Sequence, residues 1–202
     1  AQCARADTGD NLELWPRSQL APADQQPGAK GAIDLRKSTA ENVRNVADAL
    51  GLYTDDLTVV ILDRPRHEDI VREVREAGAR IKFISDGDVA GAIMAARDGT
   101  GVDLLLGIGG TPEGVITACA IKCLGGVIQG KLWPKDDAER RRALDAGHDL
   151  DRVLLTDDLV TGDNVFFVAT GITDGELLKG VHVSAGFVST QSLVIRSKTG
   201  TV

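Results

Sequence analysis

Residues 101–126 read GVDLLLGIGGTPEGVITACAIKCLGG. An apolar run, Val102 to Leu106, leads into glycines at 107, 109 and 110, then Thr111-Pro112-Glu113, then an apolar segment carrying Cys119 and Cys123. The pattern predicts a buried strand, a tight turn and a helix. Thr111 as N-cap, Pro112 at the first helical position and Glu113 in the first turn form a helix start. A helix N-terminus presents unpaired N–H groups and a positive dipole end, and glycine lets a ligand approach the backbone closely. The stretch therefore reads as a phosphate or metal–phosphate site. Taken alone, Glu113 has a plainer reading as a complement to the helix dipole, worth about 0.3–1 kcal/mol at an exposed end.

The same grammar recurs upstream. Leu57 to Leu62 (LTVVIL) is a β-branched apolar run suited to a strand covered on both faces, and it ends at Asp63-Arg64-Pro65-Arg66-His67. An amphipathic helix is predicted from about Glu68 to Glu76, closed by Gly78, followed by a strand over Ala79 to Ile84. That strand runs into Ser85-Asp86-Gly87-Asp88 and a helix over Val89 to Ala96. Three successive units of strand, polar loop and helix predict an α/β fold, a layered, largely parallel sheet with flanking helices. Ligands in such sheets sit at the carboxyl ends of the strands, so the three loops should converge.

Further out, STAENVRNVADALG from Ser38 to Gly51 is a capped amphipathic helix, with Ser38 or Thr39 at the cap, Glu41 near N3 and Gly51 at its end. Residues 1–30 mix proline, glycine, glutamine and aspartate without a period and read as loop or disorder, leaving 31–202 as the α/β domain. The charged stretch KLWPKDDAERRRALDAGHD predicts a surface helix with a solvated face. Asn164 to Thr170 and Gln191 to Arg196 read as strands, with a turn and a short helix in GITDGELLKGV between them.

The composition limits the partners. A 202-residue chain that is 43% hydrophobic, 26% charged and 3% aromatic can bury one core, and a net charge of −7 argues against general binding to nucleic acid or anionic membranes. A small molecule is the expected partner. Three cysteines, two of them four apart on one helix, suit a reducing compartment, and no apolar run is long enough to span a membrane, which points to the cytoplasm.

Arg64 and Arg66 flank Pro65, whose ring stiffens the loop, and two planar guanidinium forks held together suit phosphate oxygens. The alternative is a surface pair bridging Asp63 or Glu68. Asp86 and Asp88 around Gly87 suit sugar hydroxyls or a divalent cation, or else form a turn in which short acids bond their own backbone. Glu113 is the best single candidate for a metal ligand, while His67, His148 and His182 show no zinc spacing. A dinucleotide fingerprint starting at Gly107 and Gly109 would need glycine where Pro112 stands, and no nucleoside-triphosphate loop occurs.

The motifs LDRPRH (62–67), SDGDVAGAI (85–93), GIGGTPEGV (107–115), GDNVFFVATGITDGELLKG (162–180) and RSKTGTV (196–202) resemble those of class II fructose-1,6-bisphosphatases of the GlpX type. The resemblance runs from about Gly31 to Val202 and implies the C-terminal part of the sugar and inositol phosphatase fold. It implies removal of the 1-phosphate of fructose 1,6-bisphosphate in gluconeogenesis with Mn2+ or Mg2+, a metal-activated water as nucleophile, and a homo-oligomer at full length. Some relatives also accept sedoheptulose 1,7-bisphosphate. By resemblance Arg64, Pro65, Arg66, Asp86, Gly87, Asp88 and Gly110 contact the sugar bisphosphate and Glu113 binds metal. The family's Asp-Pro-Ile-Asp-Gly-Thr motif, which supplies acidic metal ligands, does not occur here. The expectation is a C-terminal portion that is poorly active or inactive alone, or else a non-catalytic sugar-phosphate-binding module.

Overall fold

In the computed structural model, residues 11–14 and 31–202 are described. The centre is a parallel sheet of three strands in the order β3-β2-β4, with β2 spanning Thr58–Leu62, β3 Arg80–Ile84 and β4 Leu104–Leu105. Val59 of β2 stands opposite Ile81 and Leu104, and Val60 opposite Lys82 and Leu105. Because side chains alternate along a strand, β2 feeds two cores. Val59 and Ile61 join Val43, Val46, Ile70 and Val74 from α1 (Thr39–Leu50) and α2 (Glu68–Glu76). Val60 joins Ala92, Met94, Ala118 and Ile121 from α3 (Asp88–Ala95) and α4 (Thr111–Cys123) on the opposite side. The result is helices on both faces of a parallel sheet, the α/β class expected.

Local chemistry places these helices. Ser38 caps α1, its hydroxyl accepting from Glu41 N at 3.2 Å while the Glu41 carboxylate accepts from Ser38 N at 3.1 Å, and Gly51 ends the helix at φ 64°. Gly91 lets α3 lie close on the sheet, since a Cβ there would stand 3.0 Å from Leu105 and 3.1 Å from Ile84. On the far side of α3 and α4, Ile93, Ala120 and Cys123 meet Phe167, Leu193 and Ile195 of an antiparallel ribbon. Its strands are β8 (Phe166–Thr170) and β11 (Ser192–Arg196), the two expected from sequence.

The parallel arrangement is confined to the central unit. The chain leaves it at Leu106, whose N–H donates to Val60 O, and continues as β5 (Gly107–Gly110) in an antiparallel sheet of order β5-β1-β6-β7. There β1 is Asn11–Leu14, β6 Gln129–Trp133 and β7 Leu154–Leu155. The glycine cluster is thus a strand and not a tight turn. Gly110 is the N-cap of α4, with no side-chain cap bond, and Thr111 and Pro112 are its first helical residues. The strand β1 also corrects the reading of 1–30 as loop: the open edges of β5 and β6 on either side take up four residues whose brief polar–apolar alternation, Asn-Leu-Glu-Leu, is too short to mark a strand by itself. The remaining residues of that stretch lie outside the described ones.

No helix forms over GITDGELLKGV. Asp174 Oδ1 instead accepts from Gly180 N at 2.8 Å, and Gly171 and Gly180 pass so near the backbone of Lys179 and Thr173 that a Cβ at either would collide. The segment closes on itself as a loop and runs into a hairpin, β9 (His182–Ser184) and β10 (Phe187–Ser189), turning at Gly186 with φ 95°. The charged stretch does form a helix, α5 (Asp137–Asp145), followed by the short α6 (Thr156–Leu159). Its face is not wholly solvated: Glu139 is 1% exposed and accepts from Lys135 N at 2.8 Å. Among the described residues no helix is long and apolar enough to cross a membrane.

Two outcomes test this packing. Ile121 is fully buried and Ile116, on the same helix, is 48% exposed. Ile121→Ala should lower unfolding free energy in urea by about 2–5 kcal/mol, and Ile116→Ala by less than about 0.5 kcal/mol. The Lys135 backbone amide, then its ammonium, hold the Glu139 carboxyl below its ordinary value of 4.5. A depressed folded pKa contributes stability above that value, lost as pH falls through the folded pKa. The gap in Tm between the parent and Glu139→Gln should therefore be widest near neutral pH and close in acid.

Candidate functional site

The loop after β2 is extended at Arg64 and then tightens into a 3-10 turn over Pro65–His67 before α2 begins. Proline fixes φ at the start of that turn, so the three side chains Arg64, Arg66 and His67 leave a stiff backbone in set directions. Arg64 lies along the sheet edge, its Nη1 donating to Asp63 O at 2.8 Å and its Nη2 to Asp86 Oδ1 at 3.0 Å. Arg66 points the other way, Nε donating to Ile108 O at 2.8 Å.

His67 ties these pieces together. It is fully buried, with Nδ1 2.7 Å from Leu62 O and Nε2 2.9 Å from Ile108 N. The Ile108 amide can only donate, so Nε2 accepts and the proton sits on Nδ1, donating to Leu62 O. One imidazole thus joins the end of β2 to the middle of β5. Sequence reading set His67 aside as one of three scattered histidines. The available signal was its place directly after Arg-Pro-Arg.

The other two loops close on the same strand. Gly87 adopts φ 84° and caps α3, so Asp88 is its first residue. There Asp88 Oδ1 accepts from Val89 N at 2.9 Å. A Cβ on Gly109 would stand 2.9 Å from Asp88 Oδ2, and one on Gly107 3.4 Å from the His67 ring. A Cβ on Gly110 would strike the Glu113 carboxylate, which folds back from the first turn of α4. The glycines therefore have a reason that sequence alone did not reveal. They make room for His67, Asp88 and Glu113, one side chain from each loop.

The residues singled out from sequence fall into one connected set. Arg64 meets Asp86, Arg66 meets the Ile108 backbone, Asp88 lies on Gly109, and Glu113 lies on Gly110. Of the alternatives, Arg64 pairs with Asp86 across 22 residues and not with the Asp63 or Glu68 carboxylates. His182 is apart from this set, with Nε2 2.8 Å from Asp174 Oδ1. Two cavities flank the Arg64–Asp86 pair. One of about 500 Å³ is lined by Arg64, Pro65, Glu68, Arg72 and Phe83, and one of about 730 Å³ by Asp86, Gly87, Phe167, Thr173 and Asp174. Gly110 and Glu113 line neither.

His67→Ala tests the tie. It leaves the buried Ile108 N–H without its acceptor and Leu62 O without its donor, and should lower stability by at least about 2 kcal/mol in urea unfolding. Unchanged stability would mean that the imidazole does not hold β5.

The family model described as bacterial fructose-1,6-bisphosphatase, glpX-encoded, matches residues 17–202. Over 203 aligned positions the chain is 43% identical to a D-fructose 1,6-bisphosphatase class 2/sedoheptulose 1,7-bisphosphatase of Synechococcus sp. (strain JA-3-3Ab), covering 94% of this chain and 57% of that relative. A protein of the same description from Synechocystis sp. is 42% identical over 188 positions, 87% of this chain and 54% of its own length. The chain thus spans little more than half the length of these curated relatives. With the match running through all three loops that meet on β5, the chain belongs to the glpX-encoded bacterial fructose-1,6-bisphosphatase family.

Proposed function

We propose that this chain is the sugar-bisphosphate-binding part of a class II fructose-1,6-bisphosphatase, which hydrolyses the 1-phosphate of fructose 1,6-bisphosphate to fructose 6-phosphate. The observation that carries the reading is the meeting of three loops on β5, which gathers two guanidinium groups, two aspartates and a helix start. The guanidinium of Arg64 binds a phosphate by exchanging its exposed Asp86 partner for phosphate oxygens. Arg66, fixed on Ile108 O by Nε, offers its remaining donors. Asp86 and Asp88 accept from sugar hydroxyls, with Gly87 and Pro65 shaping their loops. The Gly110 backbone and the positive end of α4 receive the second phosphate. The same contacts serve a seven-carbon bisphosphate, as the relatives' names include sedoheptulose 1,7-bisphosphatase.

The family resemblance calls for Mn2+ or Mg2+, with Glu113 as a ligand. The described residues do not themselves form a centre for such an ion, since no group of three or more His, Cys, Asp or Glu that could hold one occurs among them. Glu113 supplies one carboxylate to such an ion. The part these residues take is to bind and orient the substrate. Homo-oligomer assembly and a cytoplasmic setting, which suits the thiols of Cys119 and Cys123, belong to the same reading.

Isothermal titration of the chain with fructose 1,6-bisphosphate should show binding that weakens at least about 10-fold in Arg64→Ala, the loss of one charge-assisted contact of about 1.5–3 kcal/mol. Phosphate release with Mn2+ should stay below about 1 per second, the low end of ordinary turnover. No binding by the parent would contradict the site, and faster release would contradict the reading of this chain as the binding part alone.

A further inference from the structure

Three of the four residues of β5 are glycine, so side-chain packing can hold this strand only through Ile108. Its position depends on main-chain bonds. On one edge the Ile108 amide and carbonyl are taken by His67 and Arg66. Successive residues of a strand turn their main-chain groups to opposite edges, so those of Gly107 and Gly109 face the other way. There they meet β1, with Leu14 opposite Gly107 and Leu12 opposite Gly109. The pair Glu13–Ile108 is then a non-hydrogen-bonded one, and the groups of Asn11 and Glu13 face β6, opposite Trp133 and Lys131. One four-residue segment thus satisfies two edges at once.

That segment lies outside the family match, which starts at residue 17. The chain from residue 31 onward supplies β5 and β6 with a gap of one strand between them, and Asn11–Leu14 fills the gap. Left empty, the gap would expose unpaired N–H and C=O groups on both sides.

We propose that the space between β5 and β6 is a strand-accepting slot, that Asn11–Leu14 is the peptide occupying it, and that its occupancy holds Gly110 and Glu113 in place to bind the bisphosphate. Recognition is by main-chain pairing antiparallel to both edges, the mode by which an extended peptide adds to a sheet. The binding consequence rests on the functional reading above, while the slot rests on the backbone pairing alone.

Proline tests it, because it removes the N–H on which such pairing depends. Leu12→Pro deletes a donor facing β5, and Glu13→Pro one facing β6. In Leu12→Pro, amide hydrogen exchange at Gly107 and Gly109 should rise about 100-fold or more while Val59 to Ile61 in the parallel sheet stay protected, a local and not a global opening. Fructose 1,6-bisphosphate affinity should fall at least about 10-fold, and an added synthetic peptide of residues 8–17 should restore both. In Glu13→Pro the exchange should rise at Lys131 and Trp133. Unchanged exchange at Gly109 overturns the slot, as does exchange rising equally throughout the parallel sheet or failing to respond to the peptide. Raised exchange with unaltered affinity overturns its link to binding. If the parent binds no bisphosphate, the functional reading fails and exchange alone decides the slot.

Discussion

A strand of Gly-Ile-Gly-Gly has almost nothing to anchor it, and the structure is arranged around supplying what it lacks. The main-chain groups of Ile108 are its fixed point: His67 accepts from the amide and Arg66 donates to the carbonyl, both from the rigid turn that ends β2. A buried donor left without an acceptor costs about 1–3 kcal/mol. The turn and the strand are therefore bound to move together. Because the strand presents bare backbone, Asp88 and Glu113 can lie directly on it. Loops from three strand ends meet on this strand through contacts of a few ångströms.

Much of this was legible in the sequence. The β-branched run of β2 and the capping box of α1 depend on neighbours within a few residues, and both fall within a residue of where the pattern put them. The recurrence of strand, polar loop and helix predicts that the three loops converge, because topology converts that order into proximity, and they do meet on β5. What sequence missed is what depends on distant partners. A run of glycines reads as a turn because its conformational freedom is visible and the side chains that need its space are not. His67 reads as a stray histidine because its partners, Leu62 O and Ile108 N, are main-chain atoms with no signature in the letters. Asn11–Leu14 alternates polar and apolar over only four residues, too short a run to stand out in its turn-rich surroundings, and the two strand edges beside it complete the strand.

The same logic explains why the loop over residues 171–180 misled a helix reading. Thr173 and Asp174 are good helix starters in isolation, yet Asp174 spends its carboxylate on Gly180 N and His182, closing the segment before a second turn can form. Short acids compete with helical hydrogen bonds in this way wherever a glycine lets the chain double back. At the glycine strand and at this loop alike, glycine marks close approach of two chain segments, and the identity of the second segment decides the structure.

The central claim is that Arg64–His67, Asp86–Asp88 and Gly107–Glu113 form one binding surface. Its most direct test is a backbone amide NMR titration of the chain with fructose 1,6-bisphosphate. The account predicts that resonances of all three segments shift together with a single dissociation constant. Shifts confined to one segment, or centred on the hairpin of His182–Ser189, would contradict it.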